Sequence, residues 1–216
     1  MSDLVNFLTS KRYVGVRLRS IRKHCRLGRA TELVIILSTG VSIVLGGTSV
    51  QAQQAWQDGN ADDTWNTTSA NWDAGVIFTE GNDAVFGGTG ETVTIDEPGG
   101  IEVDDVTFDV DGYSIIGNDL EVTGTISVTN AADSATIEAN ISSDVVIGGD
   151  GTVALAGDTT GDLTTAGGAD IDGDITGNLI SSGTTTLAGD VSGTVAQSAG
   201  SVTVDGASTL TGAVTI

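Results

Sequence analysis

Positively charged residues are missing from most of this chain of 216 residues. All 8 Lys and Arg lie between Lys11 and Arg29, together with the only His and the only Cys, His24 and Cys25. Residues 53–216 hold 27 Asp and Glu and no base, a net charge of −27. A surface without cations does not neutralise phosphate groups. This part of the chain is therefore not expected to bind nucleic acid or anionic lipid.

The same absences bear on catalysis, because a Ser–His or Cys–His pair needs a residue that the chain lacks beyond Arg29. Only paired carboxylates remain, as in glycoside hydrolysis, and Asp104–Asp105 and Asp170–Asp172 are such pairs. Among 27 acidic residues pairs of this kind arise by chance. The sequence therefore favours a protein that is not an enzyme.

Proline is scarce, since Pro98 is the single proline of the chain. After residue 52 the sequence also lacks the helical spacing of apolar residues that would predict an amphipathic helix. Glycine is abundant, with 31 residues in the chain. Alternating apolar and polar residues, as at Val106, Phe108 and Val110, predict short β-strands separated by tight turns.

The N-terminal segment has the three parts of a secretory signal. A basic region is followed by an uncharged apolar run from Leu33 to Gly47, and then by small or apolar residues at Val50 and Ala52. This order predicts a signal peptide over residues 1–52 that is cleaved between Ala52 and Gln53. A membrane anchor is the less favoured alternative, because the apolar run is shorter than the roughly 20 residues that span a bilayer.

The last third of the chain repeats at a regular interval. Equivalent apolar positions are Leu155, Ile171 and Leu187, sixteen positions apart, and each is followed by Gly and Asp. Such a period predicts a β-solenoid with one coil per repeat. The recurring glycines are expected at corners that need a positive φ. Three mature segments result: a Trp-rich entry segment or cap (53–80), a β-strand region (81–141) and the 16-residue-period solenoid (142–216).

Two sets of residues are candidate sites. Stacked coils would align Asp158, Asp174 and Asp190 roughly 4.8 Å apart, where they either bind a divalent cation such as Ca²⁺ or form a solvated acidic edge. Trp56, Trp65 and Trp72 either cap the first coil or form a surface for stacking against a glycan.

Several short motifs between residues 53 and 155 resemble the passenger region of autotransporters that carry the autotransporter-associated β-strand repeat. They are Ala84–Phe86, Val93–Ile95, Val103–Phe108 and Gly112–Gly117. The resemblance implies a right-handed parallel β-helix that is exported and displayed on the surface of a Gram-negative cell. The translocator β-barrel of that family is absent from the 216 residues, so a longer protein that supplies it is expected.

The sequence therefore predicts a structural or adhesin-type passenger segment, secreted or on the cell surface, that contacts a host or environmental surface and possesses no catalytic residue. One alternative is a secreted carbohydrate-binding domain, or a carbohydrate-active domain that depends on carboxylates or a cation. The other is a periplasmic protein without a surface role.

Overall fold

The structure, a computed structural model, describes residues 33–36, 42–45, 52–59 and 61–216. The chain divides into two units, residues 1–50 and residues 51–216. In the first unit, β1 (Leu33–Ile36) and β2 (Ser42–Leu45) form an antiparallel pair. The basic region of the predicted signal, Lys11–Arg29, and its residue Val50 lie outside the described residues.

The second unit is an all-β solenoid, as predicted, in which strands of successive coils pair in parallel. It has three faces. Face A contains nine strands: β3 (Gln53–Ala55), β5 (Asp83–Phe86), β8 (Val106–Phe108), β11 (Thr125–Val128), β13 (Val145–Gly149), β15 (Leu163–Thr165), β17 (Leu179–Ser181), β19 (Val195–Gln197) and β21 (Val214–Thr215).

Face B contains eight strands: β4 (Thr64–Trp65), β6 (Thr92–Ile95), β9 (Tyr113–Gly117), β12 (Ser134–Ile137), β14 (Thr152–Leu155), β16 (Gly168–Ile171), β18 (Thr184–Leu187) and β20 (Ser201–Val204). Face C begins with β7 (Ile101–Val103) and β10 (Leu120–Val122), and single parallel bridges continue it through Ile141, Thr159, Ile175, Val191 and Leu210. No helix among the described residues is long and apolar enough to cross a membrane.

The coils shorten from the first part of the solenoid to its middle, and the last coil is longer again, since Val195 pairs with Val214. On face B, Val93 pairs with Ile115 in the next coil, whereas further along Leu155 pairs with Ile171, so a later step takes fewer residues than an early one. Among the described residues, the buried aromatic rings all lie in the early coils, whereas the later coils enclose aliphatic and small side chains. A wider core needs a longer perimeter, and native cores leave few voids.

The later core also contains hydroxyl groups that satisfy one another. The Thr165 and Thr185 hydroxyl oxygens lie 2.8 Å apart, and the Ser181 hydroxyl lies 3.0 Å from that of Thr185. All three residues are buried. Their mutual hydrogen bonds offset the cost of removing polar groups from water.

The recurring glycines serve a different purpose from the one predicted. Gly157, Gly173 and Gly189 do not have positive φ angles. A methyl group on Gly173 would instead overlap the carbonyl oxygen of Gly157 in the coil before, and one on Gly189 would overlap that of Gly173. Glycine recurs here because the backbones of stacked coils approach closely at this corner, not because the turn is left-handed.

Candidate functional site

The predicted aspartate ladder is present at the corner that leads into face C. Asp158, Asp174 and Asp190 each precede one of the bridging residues Thr159, Ile175 and Val191, so they stack in register and are exposed. The backbone N–H of Asp174 donates to Oδ1 of Asp158 at 2.9 Å, and that of Asp190 donates to Oδ1 of Asp174 at 2.9 Å. Each carboxylate therefore fastens the next coil to its own.

The ladder is extended at both ends by residues of other types. Asn140 Oδ1 accepts the Asp158 N–H at 3.1 Å, and Asp190 Oδ1 accepts the Thr209 N–H at 2.6 Å. The neutral side chain of Asn140 therefore accepts the same kind of hydrogen bond as the carboxylates of Asp158 and Asp174. The backbone N–H donors also offset part of the repulsion between the carboxylates, which a bound cation would otherwise relieve.

A second ladder, at the corner between faces C and A, was not anticipated. Asp144 Oδ1 accepts the Asp162 N–H, Asp162 Oδ1 accepts the Asn178 N–H, and Asn178 Oδ1 accepts the Thr194 N–H, each at 2.8 Å. The backbone and side-chain hydrogen bonds from Asn178 lower the pKa of Asp162. The sequence contains a pattern that could have predicted this ladder, because a residue with a side-chain carbonyl oxygen comes directly before three successive strands of face A. These residues are Asp144, Asp162 and Asn178.

The three tryptophans lie inside the first coils. Trp56 is 4 % exposed, and Trp65 and Trp72 are 0 % exposed. The Trp65 and Trp72 ring centroids are 5.2 Å apart, and both rings contact Phe86. Stacking against a glycan needs an exposed ring face, which none of the three offers. Their position covers the core at the N-terminal end of the solenoid.

A groove with a volume of about 600 Å³ lies beside Trp56. Trp56 Nε1 donates to Glu91 Oε1 at 2.5 Å on one side, and the Tyr113 hydroxyl donates to the Gly87 carbonyl oxygen at 2.5 Å on the other. Burial, and then the negative charge of Glu91, raise the pKa of Tyr113 to about 12. Tyr113 is therefore a neutral hydrogen-bond donor at physiological pH.

Three acidic residues come together at the rim of this groove. Asp58, Asp63 and Glu91 each place a carboxylate oxygen within 4.8 Å of the others. Asp58 Oδ1 accepts the N–H groups of Asp62 and Asp63 at 3.1 and 3.2 Å, and Glu91 accepts the Trp56 hydrogen bond. Two of the three carboxylates, those of Asp58 and Glu91, therefore already accept hydrogen bonds from the protein itself. Sequence reasoning missed the group because Glu91 lies far from Asp58 and Asp63 along the chain.

The residues of the predicted cleavage site lie at the start of the solenoid. Gln53 is the first residue of β3, and the carbonyl oxygen of Ala52 accepts the Asp83 N–H at 3.1 Å. Gln54 is buried, and its side chain donates to the Ile77 carbonyl oxygen and accepts the Thr79 N–H. The described solenoid thus begins where the predicted leader ends.

Comparisons with protein-family models, curated protein sequences and solved structures found no match to this chain.

Proposed function

We propose that this protein is exported and that residues 53–216 act as a non-catalytic β-solenoid, a structural or adhesin-type passenger segment that works outside the inner membrane, on the cell surface or in the medium. The observation that carries the proposal is the coincidence of two boundaries. The basic and apolar leader ends at Ala52, and the first solenoid strand begins at Gln53. A signal peptidase that cuts after Ala52 would release a chain that starts on its first strand.

The architecture supports a structural role. Each coil is fastened to the next by parallel strand pairing on faces A and B, and the coils from Asn140 onward are also joined by the two corner ladders. A solenoid of this kind is an extended body whose length grows with coil number, and its outward side chains are presented at a regular spacing. The outward side chains of the strands are not part of the packed core, so they are available for contacts with a partner.

The test is expression in a Gram-negative host, followed by mass spectrometry of the mature N-terminus. The proposal predicts a chain that begins at Gln53. Ala52→Leu should block processing because the site requires a small residue, whereas Gln51→Leu, at the intervening position, should not. Intact leader on the wild-type chain would contradict export by this route. In cells that also produce the translocator expected from the family resemblance, protease added to whole cells then separates surface display, in which the solenoid is exposed, from retention in the periplasm, in which it is protected.

The second candidate is a secreted carbohydrate-binding domain. The groove beside Trp56 and Tyr113 favours it, because carboxylate oxygens and hydroxyl groups there offer hydrogen bonds to a polyhydroxylated ligand. Glycan-array binding that Glu91→Gln abolishes, and that the solvent-facing Glu121→Gln preserves, would support this function over a purely structural one.

A further inference from the structure

Face A carries a strip without charge on a body that is otherwise acidic. In the strands of coils from Thr125 onward, face A has no Asp or Glu, although residues 53–216 hold 27. The outward residues of this strip are Thr125, Ser127, Val146, Gly148, Thr164, Ala166, Ile180, Ser182, Ala196, Ser198 and Thr215. The strands of face B from Ser134 onward keep one carboxylate, that of Asp170, and the corners carry the two ladders.

The centre of the strip is a straight column. Successive strands pair Thr125 with Val146, Val146 with Thr164, Thr164 with Ile180, Ile180 with Ala196 and Ala196 with Thr215. Val146 and Ile180 are 40 % and 42 % exposed, and each lies one strand away from Thr164. Two exposed aliphatic side chains therefore lie one strand to either side of a threonine in the same column.

We propose that this strip is a self-association surface on which a second copy of the chain docks face to face, about a two-fold axis through Thr164. Such an axis places Val146 of each copy against Ile180 of the other, so the same patch serves both partners. Two sheets packed in this way lie roughly 10 Å apart, with side chains from each filling the space between them.

Two properties of the strip select a second copy as its occupant. Residues 53–216 contain no cation, so a copy that approached with any acidic face would bring carboxylates together without a counter-charge. Two copies that meet through the face A strip avoid that cost, whereas contact through face B would bring the Asp170 carboxylates toward each other. The rows of the strip also repeat at the strand spacing of roughly 4.8 Å, and a second copy has the same spacing by construction.

The size of the strip makes the association weak. The five steps of the column span roughly 24 Å, and two outward columns are roughly 12 Å wide, so two copies bury roughly 600 Å² in total. Stable interfaces bury roughly 1,200 Å² or more, and smaller ones are transient. The inference therefore predicts a reversible, concentration-dependent dimer, and it does not depend on where the protein works.

Sedimentation velocity of the purified chain over a range of concentration and salt tests the proposal. The dimer fraction should rise with protein concentration and also with salt, because salt screens the repulsion between two acidic bodies. Pairing between the basic segment Lys11–Arg29 and carboxylates would weaken with salt instead, which separates the two explanations. Ile180→Asp should raise the dissociation constant at least roughly tenfold, whereas Thr186→Asp, at a position that is also exposed but lies on face B, should leave it unchanged.

A cross-linking experiment tests the two-fold axis directly. In a Cys25→Ser background the chain has no other cysteine. Thr164→Cys should then give a covalent dimer with a short bismaleimide reagent, and Thr186→Cys should not. Circular dichroism of each variant checks that the solenoid is intact. A monomer at every concentration, or equal effects of Ile180→Asp and Thr186→Asp, would overturn the proposal.

Discussion

Oδ1 of Asp174 accepts the backbone N–H of Asp190, 16 residues later and one coil further along, at 2.9 Å. The residue that follows each aspartate bridges to its counterpart on face C, since Ile175 pairs with Val191. The side chain thus adds a hydrogen bond between coils at a corner, where regular strand pairing is interrupted. An acidic repeat that looks electrostatically unfavourable in sequence is explained by the acceptor oxygen and not by the charge.

This relationship predicts that the ladder needs the oxygen and tolerates loss of the charge. Asp174→Asn keeps an acceptor for the Asp190 N–H, as Asn178 does for the Thr194 N–H, and it removes repulsion from Asp158 and Asp190. We expect it to be neutral or stabilising. Asp174→Ala should lower the free energy of unfolding by roughly 0.5–1.5 kcal/mol, the usual net value of one hydrogen bond. Urea denaturation measures both, and an equal loss in the two variants would contradict the role of the oxygen.

Calcium should act on this corner only as an ionic solute. Because one oxygen of Asp158 and one of Asp174 are bonded to backbone N–H groups, we expect Ca²⁺ to raise the melting temperature no more than sodium chloride at matched ionic strength. Differential scanning calorimetry compares the two salts. A larger effect of Ca²⁺ that Asp174→Asn abolishes would instead establish the ladder as a cation site.

Acid should weaken the second ladder through Asp162. Its pKa in the folded chain is lowered from the ordinary value of 3.8 by hydrogen bonds from Asn178. The contribution of a carboxylate with a depressed pKa is fully present above its unfolded pKa and is lost as pH falls through the folded pKa. The difference in stability between the wild type and Asp162→Asn should therefore change with pH only below about pH 4. A constant difference at all pH values would contradict this origin.

Close packing at the glycine corner predicts a steric effect of substitution. Gly189→Ala should destabilise the solenoid by roughly 1–3 kcal/mol, the usual cost of overpacking, because the new methyl group meets the Gly173 carbonyl oxygen. Gly206→Ala is the matched control, since no atom lies within 4 Å of its added methyl group. Thermal unfolding of the two variants measures the difference. Similar losses would indicate a conformational effect common to glycine substitutions.

The fold was predictable from the sequence where one period governs both spacing and side-chain type. Leu155, Ile171 and Leu187 recur at one constant interval in the sequence and pair in that register in the structure. The ladder at Asp158, Asp174 and Asp190 followed from the same period. The role of the glycines did not follow from this period. The sequence pattern shows that a small residue is needed, but it does not show whether a positive φ angle or the close approach of a neighbouring coil requires it.

Features built from unequal coils were not predictable. Val146, Thr164 and Ile180 form one column, yet the interval along the chain from Val146 to Thr164 is longer than that from Thr164 to Ile180. The groove depends on Glu91 meeting Trp56 across 35 residues and a loop. In both cases the number of residues per coil differs from one coil to the next, and the local pattern of apolar and polar residues does not specify it.

The tryptophans allow a paired test of the buried cluster. Trp56 Nε1 donates to Glu91, whereas Trp65 Nε1 and Trp72 Nε1 are buried and have no partner among the described residues. Replacing either Trp56 or Trp72 by Phe removes the same volume, but only Trp56→Phe breaks a hydrogen bond to a carboxylate, which contributes roughly 1.5–3 kcal/mol. Trp72→Phe also removes an unsatisfied N–H, which offsets part of the cost of the smaller ring. We therefore expect Trp56→Phe to lower the free energy of unfolding more than Trp72→Phe does. Urea denaturation of the two variants measures the difference. The reverse order would show that packing around Trp72 outweighs the Trp56–Glu91 hydrogen bond.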